Sequence, residues 1–185
     1  MGVLAFLAVT FLLFARQEAT PQAPPKPVAE NWVGAPEHVR PLLVECRADG
    51  LVFHPRAGGS PRFFSRQSLE EEVEIVKAIQ REGVERLGAA FDRQQLWLIL
   101  KQGIDRNPRL RNSFTGIMHR VELRNLSREG RRSMEQHFPI LLVFPDGVEI
   151  YGLASYLVET TTRLSVGLEP MLPGWQLPYR KIGAS

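Results

Sequence analysis

A chain of 185 residues, 44% hydrophobic and 23% charged, has room for one folded domain plus appendages, which excludes collagen-like and wholly disordered classes. Its 23 basic and 20 acidic side chains leave a formal charge of +3, a slight excess that does not demand a nucleic-acid partner. A single cysteine, Cys46, excludes an intrachain disulfide framework and a cysteine-based structural zinc site.

Met1 to Ala15 holds no charged side chain and, apart from Gly2 and Thr10, is apolar up to Arg16. Residues 1–18 therefore read as a membrane anchor or signal segment. As a helix the run rises roughly 22 Å, short of the ~30 Å hydrocarbon core. Gln17-Glu18-Ala19 places a poor residue at the −3 position of a cleavage site, which favours an uncleaved anchor over a secreted protein. Residues 19–36 carry five prolines and read as an extended linker that spaces a domain from the bilayer.

From Pro41 the pattern takes a two-residue period: Leu42, Val44, Cys46 and Ala48 alternate with Leu43, Glu45 and Arg47, and Leu51 and Phe53 follow Asp49-Gly50. Two strands joined by a type I′ turn at Asp49-Gly50 are predicted. Setting Ala48 opposite Leu51 places Cys46 beside Phe53 on the inner face and Glu45 beside His54 on the outer face. Residues 56–66 read as loop. The spacing Ser68-Leu-Glu-Glu71 predicts a capping box and a helix start, with Glu70, Glu71 and Glu72 in a solvated first turn and Gly83 at the stop.

Residues 84–138 form a basic insert. Its first part, to Ile104, fits a helical stripe through Leu87, Phe91 and Leu98, and also a strand through Leu96, Leu98 and Leu100; helix is the reading adopted. Its second part concentrates Arg106, Arg109, Arg111, Arg120, Arg124, Arg128, Arg131 and Arg132 against three acids, a surface suited to anionic lipid or an acidic partner. No helix-turn-helix, zinc finger or stacking motif accompanies these arginines, so sequence-specific nucleic-acid binding is not expected. His119 and His137 could assemble a site with the nearby Glu122 and Glu135, but isolated histidines in polar stretches usually face solvent, and both are read so.

Phe138 to Phe144 suits a buried strand, Pro145-Asp-Gly147 a turn, and Tyr151 to Leu164 a helix burying Leu153, Leu157 and Leu164. Leu168 to Leu172 reads as an edge strand, demoted by Pro170, and residues 173–185 as a tail. Strand, helix and strand at this length imply a βαβ crossover. The predicted fold is thus α/β in the α+β sense: residues 37–172 form a small mixed sheet with a β-hairpin and helices packed on one face.

The layout resembles the ExbD/TolR family, whose members carry a membrane anchor, a linker and a small periplasmic α/β domain that serves proton-driven inner-membrane complexes. Ala48-Asp-Gly50 matches the family's D-G turn, and Leu141 to Asp146 with Tyr151-Gly152 matches an apolar strand, an Asp and a Y-G opening the last helix. Glu159 falls where that helix often bears an acid. The segment Pro145-Asp-Gly147 with Gly167-Leu-Glu-Pro170 also looks like a class of anchored bacterial envelope proteins. The family's membrane helix bears a proton-carrying Asp, and Met1 to Ala15 has no carboxylate; either an upstream extension carries that Asp, or the domain is passive or borrows a carboxylate from another subunit.

The resemblance implies a single-pass cell-membrane protein with its domain in the periplasm, acting as a binding or scaffold domain of an envelope complex. Its expected partners are the inner membrane and an envelope-complex protein or a second copy of the chain. The alternative is a secreted soluble envelope hydrolase with an unrecognised site. No G-x-S-x-G, H-E-x-x-H, P-loop or G-x-G-x-x-G occurs, so neither a catalytic, a metal nor a cofactor site is expected.

Overall fold

The computed structural model describes residues 39–55, 59–128 and 136–174. The apolar segment 1–18, the linker 19–36 and most of the tail 173–185 fall outside the described residues. Five strands, β1 (Val39–Arg47), β2 (Gly50–Phe53), β3 (Arg62–Ser65), β4 (Gln136–Val143) and β5 (Gly167–Pro170), form one mixed sheet in the order β3-β2-β1-β4-β5. β1, β2 and β3 are antiparallel neighbours, whereas β4 lies parallel to both β1 and β5. The described helices are α1 (Arg66–Leu87), α2 (Arg93–Arg106), α3 (Phe114–Arg128) and α4 (Val148–Thr161). This is the α+β arrangement expected, and α4 supplies the crossover from β4 to β5.

Alternation along the strands explains the layering. Leu42, Val44 and Cys46 of β1, Leu51 and Phe53 of β2, Phe64 of β3 and Leu141 of β4 share one face and one core with the helices. Three helices present a stripe at helical spacing, Leu69, Val73 and Val76 in α1, Phe114, Ile117, Met118 and Val121 in α3, and Ile150, Ala154, Leu157 and Val158 in α4, while α2 adds Ile104. Each large side chain so buried contributes roughly 1.5–3 kcal/mol. The other face of the central strands carries Leu43, Ile140 and Leu142, which are also buried. Burial on both faces is why β1 and β4 read as nearly unbroken apolar runs.

The hairpin differs from its predicted register. Arg47 pairs with Gly50 and Cys46 with Leu51, so the turn residues are Ala48-Asp49 and the pairing is displaced by two positions. A displacement of two keeps every side chain on its face, so Cys46 and Phe53 still share the core and Glu45 still meets His54. Gly50 is required for another reason. At φ 155° it lies beside β3, and a Cβ there would run into the Phe64 carbonyl oxygen. Gly50→Val is expected to lower stability by about 1–3 kcal/mol. An unchanged denaturation midpoint would show that β3 can move away from β2.

Three other boundaries are corrected. Residues 62–65, read as loop, form the edge strand β3. α1 is capped by Ser65, whose Oγ accepts from the Ser68 N–H at 3.2 Å, so the helix begins before the expected capping box. It also runs through Gly83 and ends at Gly88, at φ 49°. Gly83 serves packing: a Cβ there would lie 2.7 Å from Leu96 Cδ1 of α2. Of the stretch to Ile104 read as helix, residues 93–106 are helical, but 84–87 end α1, and Phe91 and Leu98 of the expected stripe are exposed rather than buried.

Cys46 is fully buried, and burial pushes its thiol up to about 12. Alkylating agents are expected to react with it far more slowly in the native protein than in the unfolded chain. Native labelling as fast as that of free cysteine would place Cys46 outside the core.

Candidate functional site

α3 begins where its amides are shared between two acceptors. Ser113 Oγ takes the Gly116 N–H at 3.2 Å, and Glu72, reaching across from α1, takes the Phe114 and Thr115 N–H groups at 3.2 and 2.9 Å. Thr115 Oγ1 also donates to Glu72, at 2.7 Å. Glu72 is therefore a buried acceptor, and the expectation of a wholly solvated acidic turn is corrected. Its neighbours do stay at the surface, Glu70 with Arg66 and Glu71 with Gln67.

This anchoring sets the face that α3 turns toward the sheet. Ile117, Arg120, Val121 and Arg124 follow one another at helical spacing and line a groove of about 280 Å³ beside the start of β1 and β4 and the end of β2. Its floor is apolar, built from Leu42, Phe53, Pro55, Ile117 and Val121. Its rim is basic: Arg62 enters from β3 and faces Arg120 and Arg124, with His137 completing the lining. Arg62 donates to the Asn112 carbonyl at 2.7 Å and Arg120 to the Arg111 carbonyl at 2.5 Å. Two guanidiniums are thereby pinned on successive carbonyls of the turn before α3.

Among the described residues no carboxylate pairs with Arg62, Arg120 or Arg124. Partial burial, and then the Arg62 and Arg124 charges, hold Arg120 below the ordinary arginine value. Uncompensated cations of one sign over an apolar floor form a site for an anion.

A second constellation lies between α2 and α3. Lys101, His119 and Glu122 are 7%, 3% and 2% exposed. Lys101 is paired with Glu122 Oε2, and its Nζ donates to His119 Nδ1 at 2.7 Å. That donation places the imidazole proton on Nε2, which faces Asp105 Oδ1 at 3.1 Å. Glu122 Oε1 accepts the Arg163 N–H at 2.7 Å, which ties the loop after α4 to α3. Trp97 packs against both Lys101 and Arg163, 4.8 and 4.2 Å from its ring centre. Burial, reinforced by Arg163 and opposed by Asp105, brings Lys101 down to about 8. Burial and then Lys101 lower His119 as well. His119 is thus a core histidine, against the expectation of a solvent-facing one.

On the opposite sheet face Glu45 accepts from His54 Nε2 at 2.8 Å and Arg47 Nε at 2.6 Å. Burial raises its carboxyl, but these hydrogen bonds outweigh that and hold it below the usual value. The contact expected between Glu45 and His54 is present.

Of the eight arginines expected to form one surface, six lie in the described residues, and two of those line the groove. Arg120 and Arg124 reach the groove; Arg106 closes α2, Arg109 and Arg111 lie in the exposed turn before α3, and Arg128 ends α3. Arg131 and Arg132 lie outside the described residues. Arg62 was not singled out because its segment carried no strand signal, and Lys101 because a lone lysine in a helical stripe normally faces water. Among the described residues no cluster of three His, Cys, Asp or Glu side chains could hold a metal ion, and no helix is long and apolar enough to cross a membrane. No family model, curated protein or solved structure matches the chain.

Proposed function

We propose that this chain is a membrane-anchored extracytoplasmic binding or scaffold domain of a bacterial envelope complex, ExbD/TolR-like in layout. In this reading its groove between α3 and the sheet holds an anionic group of the partner. One observation carries the binding role: Arg62, Arg120 and Arg124 converge on an apolar-floored groove without a neutralising carboxylate among the described residues. The uncharged run Met1 to Ala15 and the proline-rich linker support the anchoring. The alternative of a secreted hydrolase has less support, because the polar atoms of Lys101, His119 and Glu122 are engaged with one another, with Asp105 and with the Arg163 N–H, and the three side chains are buried.

The test has two readouts on the full chain. It is expected to remain with membranes after an alkaline wash, and reporter fusions after residue 172 are expected to place the domain outside the cytoplasm. Inorganic phosphate is expected to shift the amide signals of α3 in wild type, with at least fivefold weaker binding in Arg124→Gln. Free release of the chain from cells would replace the anchored reading with the secreted one. Equal phosphate binding by Arg124→Gln would remove the groove from it.

A further inference from the structure

Resting on the groove as an anion site, the geometry points to a ligand class: we infer that the groove takes a single-chain amphiphile, an acidic head on an unbranched alkyl tail. The head is specified by the rim. A guanidinium offers five N–H donors in a planar fork. Arg62 and Arg120 each commit one terminal nitrogen to a turn carbonyl, which fixes their planes while leaving donors for a carboxylate or phosphate. Among the described residues Arg124 makes no side-chain hydrogen bond or ion pair, and it supplies the third contact.

The tail is specified by what the floor lacks. Leu42, Phe53, Pro55, Ile117 and Val121 provide no donor or acceptor from their side chains. Several backbone groups beside the groove are engaged: the Arg111 and Asn112 carbonyls by the two arginines, the Leu43 carbonyl by the His54 N–H, and both backbone polar groups of His137 by the Asn125 amide. A peptide laid here would give up its amide hydrogen bonds to water and find these groups already taken. A hydrocarbon chain brings no such groups. About 280 Å³ is room for roughly nine groups the size of a water molecule, so a phosphate head leaves space for about six methylenes.

The experiment is a chain-length series. Inorganic phosphate and ethyl, butyl, hexyl and octyl phosphate, each below its micellar concentration, are titrated into the full chain held in zwitterionic nanodiscs, with empty discs subtracted. Affinity is expected to rise about fourfold per methylene to a plateau near hexyl phosphate. Arg124→Gln is expected to weaken every member by the same factor, and Val121→Ala to lessen the gain per methylene.

Chain-length-independent binding would overturn the amphiphile and leave the anion site standing. Loss of binding to every probe, inorganic phosphate included, would overturn both. Binding to vesicles rich in anionic lipid but to no monomeric alkyl phosphate would also overturn the inference, since the source would then be a membrane surface rather than one molecule in a groove.

Discussion

Glu72→Ala is expected to cost about 3–5 kcal/mol of stability, among the largest effects of any single substitution in this domain. The carboxylate is 4% exposed and accepts three hydrogen bonds at the start of α3, from the Phe114 and Thr115 amides and from Thr115 Oγ1. The first amides of a helix have no partner within it. Alanine would leave two amides and a hydroxyl buried without acceptors, and water has no access to replace them. The negative charge is also lost from the positive end of the helix dipole. Glu72→Gln should recover less than half of the loss, because its amide nitrogen would face donors. Chemical denaturation of the three proteins measures this. A loss under about 1 kcal/mol for alanine would mean that α3 begins elsewhere.

Removal of Glu122 is the other large loss expected. Breaking one member of a buried ion pair costs about 3–5 kcal/mol, because the charge that remains is uncompensated. Glu122→Ala would strand the Lys101 ammonium and the Arg163 N–H together. Adding Lys101→Met should restore a large part of the lost stability, since the stranded charge is then gone while the volume is kept. A double variant no more stable than Glu122→Ala would refute the pairing.

The same cluster has a pH signature. Lys101 is lowered to about 8 from an ordinary value of 10.5, so between those limits the unfolded chain binds more protons than the folded one. Stability should therefore rise with pH across that window, by on the order of 2 kcal/mol after solvent screening is discounted, relative to Lys101→Met. His119, also lowered, acts with the same sign on the acid side. Stability falls as the pH drops below the ordinary histidine value, where the unfolded chain gains a proton that the folded imidazole resists.

The parts of the fold that could be read from the residues are those whose signal is local. The apolar runs at 42–44 and 140–143 show the two central strands because both faces of each are buried. The stripe Leu69, Val73 and Val76 shows α1, and the turn at 145–147 marks the start of α4. Parity protected the hairpin reading: an error of two positions in register left the Cys46 and Glu45 faces correct. What escaped depends on partners far along the chain. Nothing local separates Glu72 from Glu70 and Glu71; only contacts 42 and 43 positions away do so. The groove likewise exists only once a four-residue edge strand places Arg62 opposite α3. Clustered arginines were visible as composition, but which of them converge is set by the face α3 turns toward the sheet and by the position of β3.

The parallel pairing of β1 with β4 bears on how the chain is made. Every partnered pair, from Val39 with Gln136 to Cys46 with Val143, is about 100 positions apart. At roughly 5–20 residues per second of synthesis, the β1 edge waits about 5–20 s for its partner to be polymerised. During that interval the hairpin can complete its other edge with β3, but the row of backbone groups along Leu42, Val44 and Cys46 has no neighbour. Such an edge is a template for another nascent chain, and its apolar side chains do nothing to repel one. Closure of the sheet therefore comes late by construction. A slow, concentration-sensitive refolding yield would be the laboratory counterpart of that delay.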